Sequence, residues 1–175
     1  NYECIDVGLI AQKVVSRMSD GMSTKELDEL SSQLCMEMIT THPEYGKLGG
    51  DISINNHHKN THNSMLEVSH ILHNNKDCLG NSSQLINDEI YNIIINNTDR
   101  TEEMINYNRD YFISYFGFKT LYKSYLLKIN NEVVERPQHL FMRVALAIHK
   151  TNFARVKETY DGMSNLEFIH ATPTL

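Results

Sequence analysis

The stretch Glu135-Arg136-Pro137-Gln138-His139-Leu140-Phe141-Met142-Arg143-Val144 constrains the chain most, because a polar, extended approach ends at a proline and an apolar helical pattern begins at once. Proline suits the first helical position: its missing N–H would have had no intrahelical acceptor, and its fixed φ is already helical. Leu140, Val144 and Ile148 follow at four-residue spacing, with Phe141 and Ala145 beside them, which predicts one buried helical face. Upstream, residues 125–129 and 132–135 flank Asn130-Asn131, a pair that tolerates positive φ, so a short β-hairpin is expected to feed the helix. Downstream, Asn152 is placed to cap a last helix whose Phe153, Val156, Tyr160 and Met163 face the core. The chain then runs into an extended, mostly apolar segment, residues 168–175.

Further helix starts are legible nearer the first residue. Asp6 is a good N-cap, and Val7, Ala11, Val14 and Met18 trace one face before Asp20-Gly21. Ser23-Thr24-Lys25-Glu26 has capping-box spacing, followed by an apolar stripe of Leu27, Leu30, Leu34 and Met38. His42-Pro43 ends that helix and starts a third, with Tyr45, Leu48 and Ile52 on one side. Gly49 and Gly50 in this pattern cost roughly 1 kcal/mol each in helix propensity, and close packing against a neighbouring helix would account for both. Residues 55–64 are polar and His-rich and read as a surface loop and a boundary.

Ser64 to Glu67 repeats the capping-box spacing and opens a helix to about His73; Leu85, Ile86, Ile90, Ile93 and Ile94 indicate another, and residues 98–108 a short one. Tyr111, Phe112, Tyr115, Phe116 and Phe118 then lead into the hairpin.

Composition excludes some classes. A formal charge of −6 over 175 residues, with no basic stripe, argues against a sequence-independent nucleic-acid binder. Apolar runs such as Ile93-Ile94-Ile95 are far too short for a membrane span, so a soluble, intracellular protein is expected. Cys4, Cys35 and Cys78 are widely spaced without a CxxC pair, which suggests neither a disulfide framework nor a structural zinc site. His57, His58 and His62 lack a completing Cys or acidic ligand, and no metal is expected there. The first residue is not Met and the last lie in an apparent strand, so the chain reads as a piece of something longer.

Four strings carry a family resemblance: Tyr115-Phe116-Gly117-Phe118-Lys119-Thr120-Leu121, Ser124-Tyr125-Leu126-Leu127-Lys128-Ile129-Asn130, Glu135-Arg136-Pro137-Gln138-His139 and His170-Ala171-Thr172-Pro173-Thr174-Leu175. In order and approximate spacing the chain resembles the large, catalytic subunit of class I ribonucleoside-diphosphate reductase of the eukaryotic type, and more loosely so back to its first residues. The resemblance implies a mainly α-helical N-terminal fragment: residues 1–63 as the C-terminal part of an ATP-cone, 64–165 as a helical region with one hairpin, and 166–175 as the first strand of a ten-stranded α/β barrel. It implies a cytoplasmic enzyme that reduces ribonucleoside diphosphates, with ATP or dATP as allosteric effectors, no covalently bound cofactor, a radical supplied by a small subunit, and a homo-oligomer of large subunits.

Residue by residue, the resemblance places Thr24 and Asp28 at the nucleoside part of the effector and Lys59 at its phosphates. Read without it, Thr24 is a helix-start residue, Asp28 lies one turn later and Lys59 is a solvated charge. The family's cone opens with a basic, Gly-containing segment that wraps the phosphates. Nothing before Asn1 supplies it, so the cone site is expected to be incomplete. Thr172 is implied to contact the substrate, against the plain alternative of a strand-end threonine bonding its own backbone. Arg136, His139, Arg143, His149 and His170 are expected to be structural. The radical and redox cysteines of the family match none of Cys4, Cys35 and Cys78, so no catalytic residue is assigned and the chain alone is expected to be inactive. The rival reading is a non-enzymatic helical module for nucleotide sensing or subunit assembly.

Overall fold

Most helices of this chain begin where a short polar side chain takes up a backbone N–H that the helix itself leaves unpaired. The computed structural model describes residue 2, residues 4–172, and residues 174 and 175; Asn1, Glu3 and Pro173 lie outside the described residues. Among the described residues there are nine α-helices and one two-stranded antiparallel sheet. The chain divides into two units, Asn1–Asn60 with Ile113–Thr120, and Thr61–Phe112 with Leu121–Leu175.

In the first unit, Asp6 accepts the Leu9 N–H and starts α1 (Val7–Arg17). Ser23 and Glu26 complete both bonds of a capping box at α2 (Thr24–Glu37), as the spacing predicts. The α1 face differs from the expected one: Ile10 is buried, with Val14 beside it, against Cys35, Met38 and Tyr45. Val7 and Met18 stay 50% and 47% exposed. Covering the large Ile10 side chain removes more apolar area from water than covering Ala11, so the helix is rotated toward Ile10. Burial also pushes the Cys35 thiol up to about 11, which leaves it a small apolar group.

Helix α3 (Glu44–Lys59) packs against α2 through Gly49. A Cβ on Gly49 would lie 3.0 Å from the Ser32 carbonyl oxygen and 3.1 Å from Cys35 Cβ, and one on Gly50 would lie 3.3 Å from the Tyr115 backbone nitrogen. The close approach expected from the sequence is therefore present, and Ser32 Oγ donates to the Gly49 carbonyl at 2.7 Å. Residues 55–59 are helical rather than a loop. Their polarity misleads because it is satisfied inside: Asn56 donates to the Lys25 carbonyl at 3.0 Å, and the His57 ring meets the Phe118 ring at 5.3 Å.

One boundary between the units, after Thr120, falls inside α7 (Tyr115–Ser124), a helix where the sequence suggests only an aromatic approach to the hairpin. Ser114 accepts the Gly117 N–H at its start, and Phe118 and Leu121 are buried at helical spacing. Phe112 and Phe116, more than half exposed, obscure that period in the sequence.

In the second unit, α4 (Met65–His73) has half a capping box: Ser64 accepts the Glu67 N–H, but the Glu67 carboxylate pairs with His62 at 2.9 Å. Helix α5 (Asp88–Asn96) starts after Asn87, later than its apolar pattern suggests, because Ile86 packs with Val68 and Leu72 ahead of the first turn. Helix α6 (Thr98–Met104) and a 3-10 turn (Tyr107–Phe112) follow. The hairpin forms as expected, although each strand is only two residues long: β1 (Lys128–Ile129) pairs with β2 (Glu132–Val133) across Asn130 and Asn131, at φ 51° and 67°.

Helix α8 (Pro137–His149) begins at its proline, and α9 (Phe153–Ser164) begins with Asn152 accepting the Arg155 N–H. Phe153, Val156, Tyr160 and Met163 are all buried. Ile148 is 43% exposed, so the α8 face is filled instead by Leu140, Phe141, Met142, Val144, Ala145 and Leu146. After α9, Leu166 at φ 61° lets the Glu167 N–H return to the Gly162 carbonyl, a Schellman-type stop. Among the described residues no strand forms in 166–175: the Thr174 N–H turns back to the Ala171 carbonyl at 2.9 Å, and no neighbouring strand pairs with the segment.

The first turn of α8 is polar and buried. Glu135, fully buried, accepts from Arg143 Nε at 2.8 Å, from Arg143 Nη2 at 3.2 Å and from the Leu127 N–H at 3.0 Å. Gln138 donates to Asp110 at 2.9 Å and accepts from Tyr160 and Ser164 at 2.7 and 2.6 Å. His139 Nδ1 accepts the Arg136 N–H, so the neutral ring carries its proton on Nε2 and donates it to the Tyr107 hydroxyl at 2.8 Å. Arg136 reaches the Thr61 carbonyl at 2.8 Å and lies over the Tyr107 ring; burial lowers its pKa, opposed by Tyr107 and Asp110. Arg136, His139 and Arg143 thus hold backbone, hydroxyl and carboxylate groups of neighbouring segments. Removing one partner of a buried ion pair leaves the other charge uncompensated, so Arg143→Ala is expected to lower unfolding free energy by about 3–5 kcal/mol, read as a shifted denaturant midpoint with unchanged slope.

Candidate functional site

Two of the three residues that the resemblance places at the effector meet in the first unit. Thr24 is the first residue of α2, at the end where backbone N–H groups carry partial positive charge. Asp28 lies one turn further on the same helix. Lys59, the last residue of α3, places Nζ 2.7 Å from Asp28 Oδ2. The Lys59 side chain is 56% exposed and that of Asp28 28%. Thr24 is exposed and stands a turn away from the pair.

A second ion pair adjoins the first: Glu29 takes Lys119 Nζ at 2.7 and 2.6 Å. Two adjacent carboxylates in the second turn of α2 are thus each paired with a lysine from another helix. An exposed pair of this kind contributes roughly 0–1 kcal/mol, so an incoming phosphate can displace Asp28 from the Lys59 ammonium at little cost. The freed carboxylate is then an acceptor for a ribose hydroxyl or a base amino group. Lys59 suits a phosphate as a flexible point charge, without the fixed fork of an arginine.

Thr172 lies in the second unit, exposed, in the turn closed by Thr174 and Ala171. Its Oγ1 is 3.1 Å from the Tyr125 hydroxyl. Sequence reasoning, which has Tyr125 only in a hairpin flank and a family string, misses this contact, because nothing local marks a pairing across 47 residues. It misses the network of Gln138, Asp110, Tyr160 and Ser164 for the same reason.

His149 pairs with Thr159 at 2.8 Å, and His170 meets the Phe168 ring edge-on at 5.5 Å. Among the described residues no group of three or more His, Cys, Asp or Glu converges on a metal position. Cys4 and Cys78 are exposed free thiols. No helix among the described residues is long and apolar enough to cross a membrane.

The family described as "Ribonucleotide reductase, all-alpha domain" matches residues 111–175. The ribonucleoside-diphosphate reductase large subunit of Plasmodium falciparum (isolate Dd2) is 46% identical over 174 residues, which is 99% of this chain and 22% of that protein. Large chain 2 of the Saccharomyces cerevisiae enzyme is 45% identical over 98% of this chain and 20% of its own length, and the Caenorhabditis elegans large subunit is 43% identical over 100% and 22%. The chain spans about a fifth of the length of the curated relatives it matches. With such identity sustained from end to end of its sequence, the chain belongs to the family of ribonucleoside-diphosphate reductase large subunits.

Proposed function

We propose that this chain is the portion of a ribonucleotide reductase large subunit that carries the effector-sensing ATP-cone, residues 1–63, and the helical region, residues 64–165, leading into the catalytic barrel at 166–175. The observation that carries the reading is the Asp28–Lys59 pair: residues 31 positions apart, assigned to one nucleotide site by resemblance, meet at 2.7 Å beside the start of α2. In this reading Thr24 and Asp28 take the nucleoside of ATP or dATP and Lys59 takes the phosphates. The full subunit works with a radical-generating small subunit and with further copies of itself, in the cytoplasm, and reduces ribonucleoside diphosphates to deoxyribonucleotides. Thr172 is the substrate contact, its hydroxyl donating to an anionic oxygen of the bound nucleotide.

Asp28→Asn tests the effector site. It removes the charge opposite Lys59 while keeping the shape, so in the full-length subunit the activity response to dATP should be blunted and turnover without effector retained; an unchanged dATP titration would take Asp28 out of the site. Thr172→Val tests the substrate contact. A charge-assisted hydrogen bond contributes roughly 1.5–3 kcal/mol, so kcat/KM should fall about tenfold to a hundredfold with effector binding intact. Unchanged kcat/KM for every diphosphate substrate would make that hydroxyl structural.

A further inference from the structure

We propose that Tyr125 is a positioning residue for Thr172 and, through it, for the ribonucleotide; the inference rests on Thr172 being the substrate contact. The two hydroxyl oxygens are 3.1 Å apart, and the two residues are held very differently. Tyr125 directly follows α7, its N–H bonded to the Leu121 carbonyl at 2.9 Å, and the next residue, Leu126, is buried with its own N–H on the same carbonyl. Thr172 is exposed, in a turn closed by the Thr174 N–H on the Ala171 carbonyl. The tyrosine is therefore the anchor, and its aromatic ring, with two side-chain torsions, fixes where the phenol oxygen sits.

The direction of the bond follows from the proton inventory. Each hydroxyl has one proton to give and two lone pairs to accept with. When Tyr125 donates to Thr172 Oγ1, the threonine proton is turned away from the ring and is free for an anionic oxygen, and the chain of bonds polarises that proton further. With the bond reversed, Thr172 spends its proton on the phenol and has none for the substrate. A bound anion selects the first arrangement. No proton changes owner, and no covalent bond forms or breaks.

The test compares Tyr125→Phe, Thr172→Val and the double variant in the full-length large subunit assayed with its small subunit. Phenylalanine keeps the ring and removes only the donor, so KM should rise about two- to tenfold with kcat nearly constant. On the Thr172→Val background Tyr125→Phe should add nothing. On a Thr172→Ser background, which keeps the hydroxyl, its effect on KM should return. A packing role for the tyrosine would instead lower kcat and the thermal midpoint alike on every background. If Thr172→Val lowers kcat/KM while Tyr125→Phe changes nothing, or lowers it by the same factor with and without the threonine hydroxyl, the positioning role is overturned and the Thr172 reading stands. If Thr172→Val itself has no effect, both fall together.

Discussion

The Glu135 carboxylate, removed from water and held by the Arg143 guanidinium and the Leu127 N–H, is the constraint on which the second unit depends. It ties the entry of the hairpin to the helix that follows. Two-residue strands cannot hold a register by themselves. The carboxylate supplies what the ladder lacks, because the Leu127 N–H and the Arg143 guanidinium must both be in place to satisfy its two oxygens. Burying a charge is costly unless it is fully paired, which is why a slipped hairpin is excluded more strongly than its few backbone bonds would allow.

From that point the polarity of α8 sorts by position. Gln138 receives Tyr160 and Ser164 from α9 and donates to Asp110 in the 3-10 turn, so a single amide aligns three segments that apolar packing alone would let slide. Tyr160 in turn accepts the Asn106 N–H at 2.9 Å, which anchors the chain just before that turn. At the outer end Asp161 holds Arg109 and Lys157, both at 2.6 Å; burial pushes its carboxyl up, but the two cations together keep it below the ordinary carboxylate value. Directional bonds fix the register here, and the apolar residues from Leu140 to Leu146 supply the burial.

How much of this is legible in the sequence depends on range. Several signals spanning a few residues read correctly: the Ser23 capping box, Pro137 at a helix start, the Asn130-Asn131 turn and the stripe of α9 are each decided by local chemistry. Expectations fail where a distant partner decides the conformation. Residues 55–59 look like a loop until Lys25 and Phe118 are brought to them, α7 hides behind two exposed phenylalanines, and the α1 face turns toward Ile10 because of what α2 and α3 offer. The candidate effector site is legible only as three unremarkable residues plus a resemblance. The meeting of Asp28 and Lys59 needs the antiparallel packing of α2 on α3, and that packing in turn needs the bare backbone at Gly49. Tyr125 beside Thr172 has no local signal at all.

In the proposed reading, effector nucleotide binds at the start of α2, opposite the end of α3. Photo-crosslinking of the full-length subunit with an azido-substituted dATP, followed by peptide mapping, addresses it most directly. Label is expected within residues 24–59, competed away by unmodified dATP and lost when Lys59 is replaced by glutamine. Competable label confined to peptides outside that span, with residues 24–59 unlabelled at saturating probe, would contradict it.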